Sequence, residues 1–284
     1  MNPTGTTKLL CLLGDPIAHS ISPAMHNTSF DILNLDYSYM AFDIDKDNLE
    51  EAVNGLKSFG CLGFNLTMPL KSAIIPYLDE IDDTAKIANS VNTCVYKDGV
   101  LKGYTTDGIG FLKSMKECGI NYKGKTMTIL GAGGAASSII TQAAFDGVDK
   151  INIFKRKNSS FEAAIDFADR VTKSTNCDVF VYDISDQDLM EFSLQESDVL
   201  INSTNVGMGD DDSSLVPIDF LHPNLSVCDV IYHPPETKLL RDAKKMGCKT
   251  MNGKYMLLYQ GEAAFKLWTN LDMPTDIIKA KCFD

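Results

Sequence analysis

Gly131, Gly133 and Ala136 stand at the spacing G-x-G-x-x-A, directly after the apolar run Thr126 to Leu130 and before a stretch of helix formers. In that order Gly131 makes a tight turn, Gly133 lets backbone approach a pyrophosphate, and Ala136 is small enough for a helix to pack on a strand. Backbone N–H groups over Gly131, Ala132, Gly133, Gly134 and Ala135, at the positive end of a helix dipole, would face a diphosphate. A strand-to-helix turn that binds nothing uses the same residue types. NAD-binding folds place an acidic residue roughly 20 positions beyond such glycines to hold the ribose 2′-hydroxyl. Here that region reads Phe154-Lys155-Arg156-Lys157-Asn158, with no carboxylate. Adjacent cations suit a 2′-phosphate, which arginine grips with paired hydrogen bonds. NADP is therefore expected over NAD, and a methyltransferase that needs a carboxylate for its ribose is disfavoured. An ordinary exposed charge run is the plain alternative.

Other chemistry-bearing residues lie earlier. In Gly14-Asp-Pro-Ile-Ala-His-Ser20-Ile-Ser22-Pro23, two hydroxyls meet a helix start, where they serve either as turn and cap residues or as donors to a carboxylate. Lys71 follows Asn65-Leu-Thr67-Met-Pro69-Leu, read as a strand running into a helix opened by Pro69. A lysine in a first helical turn opposes the dipole, so it is either a solvated charge or a functional one. Asp107 opens a further helix and reads by itself as a cap.

The elements that position these residues follow from periodicity. Leu9–Leu13 and Tyr37–Ile44 read as strands, with a helix from the Ser22 cap to about Leu33 between them. Asp47 and Glu50 form a capping box for a helix ending before Gly60. Residues 91–96 and 100–105 form a hairpin turned at Asp98-Gly99. From Lys125 strands alternate with helices, the mark of a parallel sheet with crossovers: Thr126–Leu130, Lys150–Phe154, Asp178–Asp183, Val199–Ser203, Val227–Tyr232 and Lys249–Met251. A last helix runs from Gly253 to about Thr269. Its stripe Tyr255, Leu258, Tyr259, Phe265 and Trp268 reads as core packing, and Asp210-Asp211-Asp212 reads as a solvated loop. The fold class is α/β, with a change of architecture near Asp107 that divides an N-terminal α/β domain from a Rossmann-like dinucleotide domain.

A formal charge of −12 disfavours nucleic acid and anionic membrane as partners. No apolar run approaches the length of about 20 residues that spans a bilayer, and the first residues lack a signal-peptide pattern, so a cytoplasmic location is expected. The cysteines form no C-x-x-C pair and the histidines no ligand spacing, so free thiols and no metal are expected.

Taken together, several stretches resemble the shikimate dehydrogenase family. They are 14–27 around Ser20 and Ser22, Asn65-Leu-Thr67-Met-Pro-Leu-Lys71, Val91-Asn92-Thr93, Gly103-Tyr-Thr-Thr-Asp107-Gly108, the Gly131 loop, Asn202-Ser-Thr204-Asn-Val-Gly207-Met208, Asp229-Val-Ile-Tyr232-His-Pro and Gln260-Gly261-Glu-Ala-Ala-Phe265. Tyr39-Met-Ala-Phe42, 123–127 and 154–157 look closer to the shikimate/quinate dehydrogenase branch. The resemblance implies oxidation of shikimate to 3-dehydroshikimate with reduction of NADP, run mainly in reverse during aromatic amino-acid and chorismate biosynthesis. It implies an N-terminal α/β substrate domain, residues 1–107, completed by the C-terminal helices, 253–284, and a Rossmann-like, doubly wound NADP domain, 108–252. Lys71 and Asp107 match the catalytic pair, and Ser20 and Ser22 match carboxylate binders. Thr67, Asn92 and Gln260 match hydroxyl and ring contacts, and Tyr232 a tyrosine at the carboxylate end. The Gly131 loop, Lys155, Arg156, Lys157, Thr204 and Gly253 match the cofactor side. Thr105 departs from the asparagine usual in G-x-N-T-D, and Lys155 and Lys157 depart from N-R-[ST]. The rival readings are a quinate/shikimate dehydrogenase that uses NAD in catabolism, and an inactive dinucleotide sensor. Family members occur as monomers and homodimers.

Overall fold

In the computed structural model, which describes residues 3–283, the chain divides into two units. One ends at Gly110 and resumes at Leu258; the other is Phe111–Leu257.

The first unit opens with β1 (Lys8–Gly14), α1 (Ser22–Ile32), β2 (Tyr37–Asp43), α2 (Leu49–Ser58) and β3 (Gly63–Leu66). Apolar residues at helical spacing turn α2 inward, with Leu49, Val53 and Leu56 buried. A two-residue β4 (Glu80–Ile81) and short α3 (Asp83–Ala88) precede the hairpin of β5 (Thr93–Lys97) and β6 (Val100–Tyr104). Asp98 and Gly99 both take positive φ, 52° and 84°, as a two-residue hairpin turn requires. The strands form one mixed sheet in the order β2-β1-β3-β5-β6-β4. On it lies a core that includes Cys11, Leu13, Val53, Phe64, Leu70, Val91 and Leu101.

The division between units falls within α4 (Asp107–Glu117). The second unit then runs β7 (Thr126–Leu130), α5 (Gly134–Asp146), β8 (Lys150–Lys155), α6 (Phe161–Ser174), β9 (Asp178–Asp183), α7 (Gln187–Gln195), β10 (Val199–Asn202), β11 (Ser226–Asp229), α8 (Lys238–Lys245) and β12 (Lys249–Met251). Its sheet order is β12-β11-β10-β7-β8-β9, every neighbouring pair parallel. Counted from β7, this is the doubly wound order 3-2-1-4-5-6, whose crossover direction reverses between β7 and β10. α9 (Lys254–Thr269) carries the chain back to the first unit.

Three local expectations need correction. No α-helix follows Pro69: residues 68–74 form successive turns that end in a short 3₁₀ segment, Ile75–Tyr77. The Lys71 carbonyl accepts from Val91 N at 2.8 Å, away from any helical ladder, and Pro76 has no N–H to continue one. The dipole argument about Lys71 therefore does not apply. The proposed Asp47–Glu50 box is absent too, because Asp45 Oδ1 accepts from both Asn48 N and Asn48 Nδ2 at 2.9 Å and shapes that turn. Ser22 is the first residue of α1 and follows the cap position; its N–H donates to Ser20 Oγ at 3.2 Å.

Candidate active site

The turns after β3 and the start of α4 bring Lys71 and Asp107 together. Lys71 Nζ donates to Asp107 Oδ2 at 2.6 Å, with side chains 21% and 7% exposed. The other carboxylate oxygen is held as well, since Asn92 Nδ2 donates to Asp107 Oδ1 at 3.0 Å. The orientation of that amide is fixed: its oxygen accepts from Thr106 N at 2.7 Å, a group that can only donate. Asn92 Nδ2 also lies 2.9 Å from Thr106 Oγ1 and 3.2 Å from Gln260 Oε1. The result is a buried polar cluster with one partly open cation, suited to exchange a proton with a hydroxyl presented to Lys71.

Behind it lies a support that the sequence reading did not single out. Tyr39 Oη donates to Asn65 Oδ1 at 2.7 Å, and Asn65 Nδ2 donates to Asn92 O at 3.0 Å and Thr93 Oγ1 at 2.9 Å. The Thr93 and Thr106 hydroxyls are 3.2 Å apart. Each of these side chains is buried, and in a dry interior a satisfied network fixes one arrangement. The available clue was Asn65, a polar residue on a strand buried at every position. His26 sits deeper, stacked on Tyr39 at 4.5 Å and edge-on to Trp268 at 5.2 Å. Burial alone drives its imidazole down to about 3.

Of the other residues matched to substrate, Ser20 and Ser22 sit half-buried where the loop enters α1. Thr67 packs against Gly14, where an added Cβ would meet its Cγ2 at 2.2 Å. Tyr232 belongs to the second unit, on the loop after β11, and is 48% exposed.

In the second unit the cofactor-side residues gather at the carboxyl edge of the sheet. Gly131 follows β7 with φ 96°, and a Cβ there would press on Thr204 Cγ2 at 3.0 Å and Ser203 O at 3.1 Å. Ala132 to Ala135 lead into α5, whose N-terminus has no side-chain cap and no acidic residue in its first turn. A Cβ on Gly133 would meet nothing within 4 Å. These N–H groups are thus left to an incoming anion, and a dinucleotide diphosphate fits the cradle. Thr204, beyond β10, is tied to Asn202 Oδ1 through its N–H at 3.1 Å and its hydroxyl at 2.7 Å. Asn202 in turn donates to Asp229 Oδ1 at 3.1 Å. Burial pushes the Asp229 carboxyl up to about 6, against the pull of bonds from Ile231 N, Thr237 and Asn202. Lys155, Arg156 and Lys157 leave β8 together. Gly253 is placed by packing, since a Cβ there would fall 1.9 Å from Val230 O. Among the described residues, no group of histidines, cysteines and carboxylates could hold a metal ion.

Known proteins match this chain over nearly its whole length. Residues 12–94 match the family model for the shikimate dehydrogenase substrate binding domain, and residues 255–282 match that for the shikimate 5′-dehydrogenase C-terminal domain. A shikimate dehydrogenase (NADP(+)) of Alkaliphilus metalliredigens is 47% identical over 97% of this chain and 96% of its own. A quinate/shikimate dehydrogenase of Escherichia coli is 42% identical over 98% of each. The crystal structure of a shikimate 5-dehydrogenase from Listeria monocytogenes in complex with shikimate and NAD superposes with a TM-score of 0.96 at 42% identity, covering 100% of this chain and 99% of that one.

Proposed function

The chain belongs to the shikimate dehydrogenase family, and from that premise we propose that it interconverts shikimate and 3-dehydroshikimate with NADP(H), on the route to chorismate and the aromatic amino acids. The observation that carries the chemistry is the Lys71–Asp107 pair at 2.6 Å, with Asn92 holding the second carboxylate oxygen. Bound NADP supplies the two-electron acceptor for the hydrogen on the substrate's carbinol carbon. That transfer would leave a protonated carbonyl unless the hydroxyl proton departs as well. Lys71 Nζ receives this proton in oxidation and returns it in reduction. Asp107 aims the amine and compensates its charge once it is protonated. Ser20 and Ser22 bind the substrate carboxylate, while Thr67, Asn92 and Gln260 select its ring hydroxyls. The Gly131–Ala135 turn and Thr204 hold the diphosphate, and the 2′-phosphate is taken at the basic loop after β8, where Arg156 stands. The first unit is thus the substrate domain and the second the NADP domain. No helix among the described residues is long and apolar enough to cross a membrane, and a cytoplasmic monomer or homodimer is the working assignment.

The test crosses shikimate and quinate with NADP⁺ and NAD⁺ and follows reduced nicotinamide. We expect the highest kcat/KM for shikimate with NADP⁺. A higher value for quinate with NAD⁺ would replace this reading with the catabolic one. Dinucleotide binding without turnover of any pair would make the protein a sensor.

A further inference from the structure

Lys155 ends β8 at the mouth of an exposed loop, yet it is only 8% exposed. Its ammonium has three N–H groups to give, and it meets three acceptors: Arg156 O at 3.2 Å, Asn158 Oδ1 at 3.1 Å and Ser160 Oγ at 3.1 Å. The charge also lies 5.3 Å over the Phe161 ring. Asn158 Oδ1 is a shared hub, accepting in addition from Ser160 N at 3.2 Å and Ser160 Oγ at 2.9 Å. Asn158 N returns to Arg156 O at 3.0 Å. Residues 156–160 are therefore folded around the Lys155 ammonium, which grips the Arg156 carbonyl directly. Lys157 lies over the same ring at 6.0 Å and is one of the charges that, after the Ser185 hydrogen bonds, hold the Asp183 carboxyl low. Arg156 differs from both neighbours. It is exposed, and its guanidinium has no hydrogen-bond or ion-pair partner among the described residues.

We propose that Lys155 is a positioning residue for dinucleotide choice: committed inside the loop, it fixes the backbone that presents Arg156, and Arg156 grips the 2′-phosphate. This rests on the NADP reading above. Lys155 has no donor left for phosphate without giving up an internal bond, whereas Arg156 has its planar fork free.

The test is calorimetric titration of the full-length protein with NADP⁺ and with NAD⁺, for the wild type, Lys155→Met, Arg156→Ala and the double variant. Lys155→Met should weaken NADP⁺ about tenfold, the scale of one lost charge-assisted contact, and leave NAD⁺ within about twofold. Because Lys155 acts through Arg156, the double variant should bind NADP⁺ no more weakly than Arg156→Ala alone. Additive losses would mean that Lys155 touches the phosphate itself, equal losses for both dinucleotides would mean general disorder, and no loss would mean no role. Each of these overturns the proposal. Asn158→Ala, which removes the shared acceptor, should show the same selective loss if Lys155→Met fails to fold, and its absence there also overturns the proposal. A wild type that binds NAD⁺ as tightly as NADP⁺ removes the NADP reading first, and the inference with it.

Discussion

A carboxylate engaged through both oxygens cannot turn away from its lysine, and that is the condition of Asp107 between Lys71 and Asn92. Removing either member of such a half-buried pair strands the other charge, which costs more than the pair contributes when intact. From residue types alone neither was settled: Lys71 read as a lysine in a first helical turn, either solvated or functional, and Asp107 as a helix cap. The partners lie 36 residues apart, and only the family resemblance connected them. His26 tells a related story about burial. Neither ring nitrogen has a hydrogen-bond partner, and the imidazole is held neutral down to about 3 against an ordinary 6.5. The unfolded chain therefore binds the proton first. Stability from this site is complete above pH 6.5 and is lost as pH falls from there toward 3. Between pH 7 and pH 5 the loss should be about 2 kcal/mol. The only tryptophan, Trp268, packs edge-on to His26, so its fluorescence during urea unfolding reads the effect. His26→Phe should abolish most of the drop in midpoint; an undiminished drop in that variant would refute the assignment.

At the scale of elements, two glycines near the dinucleotide cradle separate binding from packing. Gly133 opens onto empty space, whereas Gly253 lies against the Val230 carbonyl. Gly133→Ala should cost less than about 1 kcal/mol of stability, as an N-cap change, while weakening NADP⁺ binding measured by calorimetry. Gly253→Ala should cost at least about 2 kcal/mol through overpacking against backbone, seen as a lowered urea midpoint. Equal stability of the two variants would contradict the distinction. The strand-turn-helix unit was legible because a short apolar run, a glycine turn and a stretch of helix formers agree; the helix closes at Gly147, left-handed with φ 98°. The segment after Pro69 was misread because the Lys71 carbonyl bonds across to Val91, a long-range pairing that local propensity does not contain. The two-residue β4 was too short to leave any periodic trace.

On the scale of the whole molecule, burial gives His26 in the first unit and Asp229 in the second opposite responses to acid. His26 weakens the first as pH falls below 6.5. Asp229, raised to about 6 from an ordinary 3.8 by burial, favours its protonated form in the folded second unit, so its contribution is full below 3.8 and is lost as pH rises through about 6. Between pH 7 and pH 5 the transition reported by Trp268 should move to lower urea, and the remaining loss of far-ultraviolet ellipticity to higher urea. A parallel fall of both would show that other groups dominate. The alternation after Lys125 made the parallel sheet legible. The support running from Tyr39 through Asn65 to Asn92 was not, because its members come from β2, β3 and the residue before β5 and meet only in the folded sheet. The decisive proposal is that Lys71 moves the hydroxyl proton during shikimate oxidation. Its most direct test is the steady-state rate of NADPH formation from shikimate by Lys71→Ala, with folding verified by its urea midpoint. A fall in kcat of about 10²–10⁴ with a smaller change in KM is expected; turnover within about threefold of the wild type would remove Lys71 from the proton transfer.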